Sequence, residues 1–202
     1  MTRRLAPERD GDAGVTLLEV VVALAVIAAA LASLLAFFVR AVETTRVHTD
    51  RQAATRYAVV AMERVSLLPG TAVLVNRPHA AVQAQWSRSR PPQVDALLAA
   101  TRTEMAWSAQ TAAVEGLPTA PERVTDGGAP TKFTRHWYVG RCWQQPTGGD
   151  CVVVPAAQRP ARVAMFRVVV AVQWASADCD GGQCFHVESM LANVDRTDPA
   201  FE

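Results

Sequence analysis

The feature that most constrains the fold is an uninterrupted apolar run near the N-terminus. It extends from Val15 to Val39, and Arg40 closes it. A helix of about 25 residues rises about 37 Å, which is enough to cross a hydrocarbon core about 30 Å thick. The run is too long for the apolar core of an ordinary secretory signal, and no small-residue cleavage site follows it. The sequence therefore predicts a membrane-spanning helix at residues 15–39.

One carboxylate, Glu19, interrupts this apolar run. A charge inside an apolar span costs about 2.5–3.5 kcal/mol at the helix centre and less near its end. One interpretation places Glu19 one turn into the helix, in the headgroup region, where the helix dipole favours an anion. The other gives Glu19 a charged partner, because charges within a membrane are generally paired. The physics of the isolated helix leaves both interpretations open.

A polar leader precedes the run. Residues 1–14 carry charges of both signs, and the segment Gly14-Val15-Thr16-Leu17-Leu18-Glu19-Val20 follows them. This arrangement resembles the processing site of type IV prepilins. The resemblance implies that a prepilin peptidase/N-methyltransferase cuts after Gly14 and methylates the new N-terminus at Val15. It also identifies Glu19 with the glutamate that this family uses in assembly.

Cleavage would give Glu19 a partner. The new amine at Val15 would lie in hydrocarbon, and Glu19 could neutralise it in the same or a neighbouring subunit, because burying either charge alone is costly. The resemblance further implies assembly with other major and minor pilins on an inner-membrane platform. The implied location is the cytoplasmic (inner) membrane, with a single pass and the head outside the cytoplasm, and then a filament on the cell surface.

Helical periodicity continues beyond the membrane segment. Apolar residues recur at three- and four-residue spacing between Ala54 and Leu68, and Pro69-Gly70 ends the pattern. This spacing predicts an amphipathic continuation of the helix at residues 40–68. Its apolar stripe requires a packing partner, so we expect residues 69–202 to form a globular head.

The head is expected to combine a helix with an antiparallel sheet. Residues 71–92 are interpreted as an irregular connection with a short helix around 80–86, and a second helix is predicted at about 93–115. The proline- and glycine-rich stretch at 121–130 is interpreted as a loop. Alternating apolar residues then predict antiparallel strands within about 133–191. The fold class is α+β, with a long N-terminal helix packed on a C-terminal antiparallel sheet in a pilin-like layout.

The order of motifs in the head resembles that of PilV-type minor pilins. The resemblance rests on Trp107, Leu117-Pro118, the segment from Arg135 to Val139, and a valine-rich strand that ends at Trp174. It implies a structural minor pilin of a type IV pilus. Two alternatives stay open. One is a pseudopilin of a type II secretion system, and the other is a membrane-anchored binding or enzyme domain with an uncleaved helix.

All four cysteines lie beyond the apolar run, which fits an oxidising compartment: Cys142, Cys151, Cys179 and Cys184. Pairing of sequence neighbours is the simplest of the three possible connectivities, and each bond would contribute about 2–3 kcal/mol. The alternative is a zinc site that adds His136 or His186. The spacings lack the Cys-x-x-Cys pair that zinc knuckles usually contain, so disulfides are favoured and no metal is expected.

Charge and motifs argue against nucleic-acid binding and catalysis. The net charge is +1, from 20 basic and 19 acidic residues, so nothing attracts nucleic acid in bulk. Five head arginines could form a DNA-binding patch, but solvated strand edges are the favoured interpretation, because acidic residues balance the total charge: Arg135, Arg141, Arg159, Arg162 and Arg167. The sequence has no nucleophile elbow and no phosphate-binding glycine loop. We therefore expect neither an enzyme nor a cofactor.

Overall fold

The computed structural model describes residues 16–68, 70–88, 90–112 and 116–193. The chain divides between Val47 and His48 into two compact units, and the first helix contributes to both. Three α-helices and five strands follow one another in this order: α1 (Leu17–Ser66), α2 (His79–Ser87), α3 (Pro92–Ala100), β1 (Glu104–Met105), β2 (Glu122–Asp126), β3 (Ala129–Gln144), β4 (Val163–Ala175) and β5 (Gln183–Asn193). Short 3-10 helices occupy Gly70–Leu74, Ala156–Ala161 and Asp180–Gly182.

The first unit consists of the N-terminal part of α1. Helix α1 is long and apolar enough to cross a membrane, and its most apolar 18-residue window has a mean hydropathy of 2.8. None of that window is buried against the rest of the described chain. Ser33 satisfies its own hydroxyl by donating to the Ala29 carbonyl at 2.9 Å, so it adds little polarity to the helix surface. These properties suit a helix that is surrounded by lipid or by other helices.

The C-terminal part of α1 belongs to the second unit and packs on the sheet. Four residues at helical spacing are fully buried there: Ala54, Ala58, Ala61 and Val65. Three of these four residues are alanines. Their packing partners include Phe133, Trp137 and Phe166. The α+β layout expected from the sequence is confirmed.

The sheet has five strands, all antiparallel to their partners. The strand order is β1-β3-β4-β5, and β2 pairs with the same central strand, β3. Core packing covers both faces of β4: Val168 and Val170 pack in the α1 core, whereas Val169 and Ala171 pack with Leu98 of α3. Burial on both faces explains why β4 is a continuous valine-rich run.

The predicted second helix at about 93–115 is wrong in its extent, because α3 ends at Ala100. The Thr101 hydroxyl donates to the Leu97 carbonyl at 2.8 Å, and Arg102 takes a left-handed conformation with φ 44°. The chain then pairs with β3 through Glu104 and Met105. Gly140 permits this approach, since a Cβ there would meet Thr103 and the Glu104 carbonyl oxygen. Residues 113–115 lie outside the described part.

The predicted loop at 121–130 is also wrong, because it forms a β-hairpin. Strand β2 covers Glu122–Asp126, and β3 begins at Ala129 rather than near Phe133. Gly127 and Gly128 connect them at φ 57° and 84°. Two-residue hairpin turns of the primed type need positive φ at both positions, and glycine adopts it without strain. The glycine pair therefore marks a tight turn between paired strands.

Candidate functional site

Glu19 lies in the first turn of α1, where Thr16 caps the helix. The Glu19 amide donates to the Thr16 hydroxyl at 3.3 Å and to the Thr16 carbonyl at 3.0 Å. Thr16 and Glu19 thus have the Thr-x-x-Glu spacing of a capping box, and the carboxylate lies near the positive end of the helix dipole. This geometry agrees with the interpretation of Glu19 as a residue of the first helical turn.

The Glu19 side chain is exposed, as are its neighbours along the apolar run. Gly14 and Val15 lie outside the described residues, so the geometry of cleavage and of a Val15–Glu19 pair stays a prediction. Within the described chain, Glu19 has no ion pair. The carboxylate is therefore accessible to a cation from another chain.

The remaining surface of the N-terminal helix is apolar and exposed. Large side chains such as Leu17, Ile27 and Leu35 are more than half exposed. An apolar surface of this extent marks a membrane or protein contact. At the end of the run, Phe37 and Phe38 form an edge contact, and Arg40 pairs with Glu43 at 3.3 Å. The first charged pair after the apolar run is compatible with the end of a membrane-spanning segment.

The four cysteines of the head form two disulfides in the structure. Cys142 bonds Cys151, and Cys179 bonds Cys184, so sequence neighbours are paired. The first bond is buried, whereas the second closes the turn between β4 and β5 and leaves Cys179 partly exposed. Each bond anchors a connection to a long strand.

The two histidines of the zinc alternative bond to other side chains. His136 Nε2 lies 2.8 Å from Gln173 Oε1, and His186 Nε2 lies 2.9 Å from Glu188 Oε1. Burial lowers the pKa of His136, and the Gln173 bond opposes this shift. In the described ranges, no group of three or more His, Cys, Asp or Glu side chains is placed to hold a metal.

We expect both disulfides to be present in the natural protein and to differ in reactivity. Unfolded, unreduced protein should show no free thiol. In the folded protein, mild reductant should release the Cys179 and Cys184 thiols first, because an attacking thiolate needs access to sulfur. Thiol titration with peptide mapping measures both points. Four reactive thiols before reduction, or first release of Cys142 and Cys151, would contradict this expectation.

The five arginines considered for a DNA patch do not share one surface. Arg135 pairs with Glu122 at 2.5 Å, and Arg159 pairs with Glu104 at 3.1 Å. Arg141 lies opposite Phe166 in the β3–β4 register, so Arg167, the next residue on β4, points to the other face of the sheet. This distribution gives no continuous cationic track for a nucleic-acid backbone.

The sequence did not reveal a buried polar cluster that completes the edge of β3. Between the segments of β3 that pair with β1 and β2, the Trp137 carbonyl accepts from Gln85 Nε2 at 2.6 Å and from Arg77 at 3.5 Å. Arg77 also donates to the carbonyls of Leu117 and Pro118, at 2.6 and 3.1 Å. Two side chains therefore supply hydrogen bonds that a neighbouring strand would otherwise make.

Arg77 is fully buried, and burial lowers the pKa of its guanidinium to about 10. The group is still protonated at neutral pH. In the described ranges, no carboxylate forms an ion pair with Arg77. The Arg77 guanidinium also donates to Gln85 Oε1 at 2.9 Å. No sequence pattern marked this residue, because an arginine in an irregular segment is ordinarily solvated.

In a comparison with known families, residues 9–35 match the prokaryotic N-terminal methylation motif. Neither curated proteins nor solved structures gave a significant match to the chain. The matched residues include Gly14, Val15 and Glu19, and the match supports a type IV pilin-like protein. Such a motif implies processing by a prepilin peptidase, assembly with other pilins and an inner-membrane anchor. It indicates a structural protein of the pilin type, which is usually not an enzyme.

Proposed function

We propose that this chain is a structural minor pilin of a type IV pilus. The observation that carries the proposal is the methylation motif at residues 9–35, which includes the N-terminal part of the exposed apolar helix α1. The order of motifs in the head adds support for a minor pilin of the PilV type. In this proposal the head lies outside the cytoplasm, and the helix moves from the inner membrane into the filament core.

The proposed maturation has three steps. A prepilin peptidase hydrolyses the peptide bond between Gly14 and Val15, and the new amine of Val15 is methylated. The helix then leaves the bilayer sideways and packs against the helices of major and minor pilins on the inner-membrane platform. Its exposed apolar surface fits such a transfer, because contact with lipid tails is exchanged for contact with equally apolar helices.

The mass of the mature chain tests this proposal. We expect a polypeptide that begins at N-methylated Val15 in wild-type cells and an intact precursor in cells that lack the peptidase. The mature chain should also be found in sheared filaments. An uncleaved precursor in wild-type cells would contradict the proposal and would favour a permanently anchored binding or enzyme domain.

The same motif is compatible with a pseudopilin of a type II secretion system. Cleavage alone does not separate the two functions, since both classes of subunit are processed. Recovery of the mature chain from surface pili, and its loss when the major pilin is deleted, would favour the minor pilin. Loss of protein secretion with intact pili in a strain that lacks this chain would favour the pseudopilin.

A further inference from the structure

A cavity of about 490 Å³ lies in the head, near the ends of β3 and β4. We call it the Trp107 cavity. Its walls include Trp107 and Gln110 from the segment after β1, Arg141 from β3 and Phe166 from β4. Trp107 is exposed, whereas Phe166 is buried beneath the Arg141 guanidinium, so the cavity combines one accessible aromatic surface with one guanidinium group.

Arg141 is the unusual residue of this cavity, because its charge is not neutralised within the described chain. Its Nε atom is buried and makes no hydrogen bond, and its guanidinium lies over the Phe166 ring at 5.5 Å. The carboxylate of Glu104, across from Arg141 on β1, is held by Arg159 at 3.1 Å. Because the Arg141 guanidinium has no carboxylate partner among the described residues, this wall of the cavity favours an incoming anion.

Trp107 provides an apolar surface beside this guanidinium. It is 47% exposed, which is high for a tryptophan, and its ring has an edge contact with His79 at 5.1 Å. The segment that carries it is held in place, because the Ser108 amide donates to the Arg77 carbonyl at 3.0 Å. The Asn76 side chain secures the same segment further along by bonding the Ala112 amide and carbonyl. The cavity is thus preorganised.

We propose that the Trp107 cavity docks a segment of another polypeptide that carries a carboxylate next to an apolar side chain. The carboxylate accepts from the Arg141 guanidinium, and the apolar group covers the exposed Trp107 ring. Tryptophan and arginine are the residues that most often dominate protein–protein binding energy. A single uncompensated cation suits a carboxylate, whereas a nucleic-acid strand needs several cations along its backbone. This docking site is independent of the filament assignment.

The test uses the full chain in detergent micelles, labelled with ¹⁵N at arginine and tryptophan. The probe is acetyl-Phe-Asp-amide, and its matched control is acetyl-Phe-Asn-amide, which lacks the charge. We expect saturable shifts of the Arg141 Nε and Trp107 Nε1 signals with the acidic peptide and at least tenfold weaker binding of the control. Arg141→Gln should weaken the acidic peptide at least tenfold. Arg88→Gln, which removes an exposed charge outside the cavity, should leave binding of the acidic peptide unchanged.

Three results would overturn the proposal. The first is the absence of saturable shifts, or equal binding of the two peptides, while an unchanged Trp137 signal shows that the head is folded. The second is tighter binding of a short thymidine oligonucleotide at Arg141. The third is a change in the Arg141 signal of the free protein when the chain is truncated after Asn193. Such a change would mean that residues 194–202 of this chain occupy the cavity.

Discussion

A Glu19→Ala subunit is expected to be inserted and cleaved normally but to be at least about tenfold less abundant in sheared filaments. The carboxylate lies in the first turn of an otherwise apolar, exposed helix. In a filament, the amine at Val15 would be buried among such helices, and an unpaired buried charge costs several kcal/mol. A loss of only about 1.4 kcal/mol already lowers incorporation tenfold. Quantitative immunoblotting of membrane and filament fractions measures the effect.

Two variants separate charge neutralisation from other roles of this helix. Thr16→Ala removes the hydroxyl that accepts from the Glu19 amide but keeps the carboxylate, so it should lower helix stability by about 1 kcal/mol and leave incorporation near wild type. Glu43→Gln removes a carboxylate beyond the apolar run and should also assemble. If Glu19→Ala assembles as well as wild type, or if Thr16→Ala fails equally, the pairing with the Val15 amine is wrong.

Arg77→Met is expected to lower the free energy of unfolding of the head by about 3 kcal/mol. Methionine removes a buried charge, and the burial that lowers the pKa of this guanidinium to about 10 corresponds to a cost of about 3 kcal/mol. It also leaves the Leu117 and Pro118 carbonyls without the donor that Arg77 supplies, and it removes the longer of the two hydrogen bonds to the Trp137 carbonyl. Hydrogen bonds from a charged donor contribute about 1.5–3 kcal/mol each, and buried acceptors without a donor are costly. The lost hydrogen bonds therefore outweigh the stability gained by removing the buried charge.

Urea unfolding of the full chain in detergent, followed by tryptophan fluorescence, measures this difference. Arg88→Met is the matched control, because Arg88 is exposed just after α2, and its change should stay within about 0.5 kcal/mol of wild type. Gln85→Leu should destabilise the head as well, since it removes the second donor to the Trp137 carbonyl. An Arg77→Met head as stable as wild type would show that the guanidinium does not hold this edge of β3 together.

The sequence alone determined the elements whose side chains have a regular environment. The apolar run predicted the exposed N-terminal part of α1, because lipid or neighbouring helices favour the same residue type on every side. Spacing of three and four residues predicted the buried stripe from Ala54 to Val65, and alternation predicted β4 and β5. The Gly14–Glu19 segment predicted the methylation motif that the family comparison found. In the buried stripe and in the strands, the sequence pattern and the environment repeat with the same period.

Only the tertiary structure decided the features that depend on distant partners. Helical spacing continued past Ala100, but pairing with β3 and the missing Cβ of Gly140 favoured an extended segment there. The burial of Arg77 follows from a gap between β1 and β2 along the edge of β3, which no local pattern encodes. Arg141 and Trp107 likewise meet in one cavity because the fold brings β3 and the segment after β1 together, which no local pattern encodes. Backbone groups require hydrogen bonds wherever the fold buries them, and the residues that supply those bonds are chosen by proximity in space.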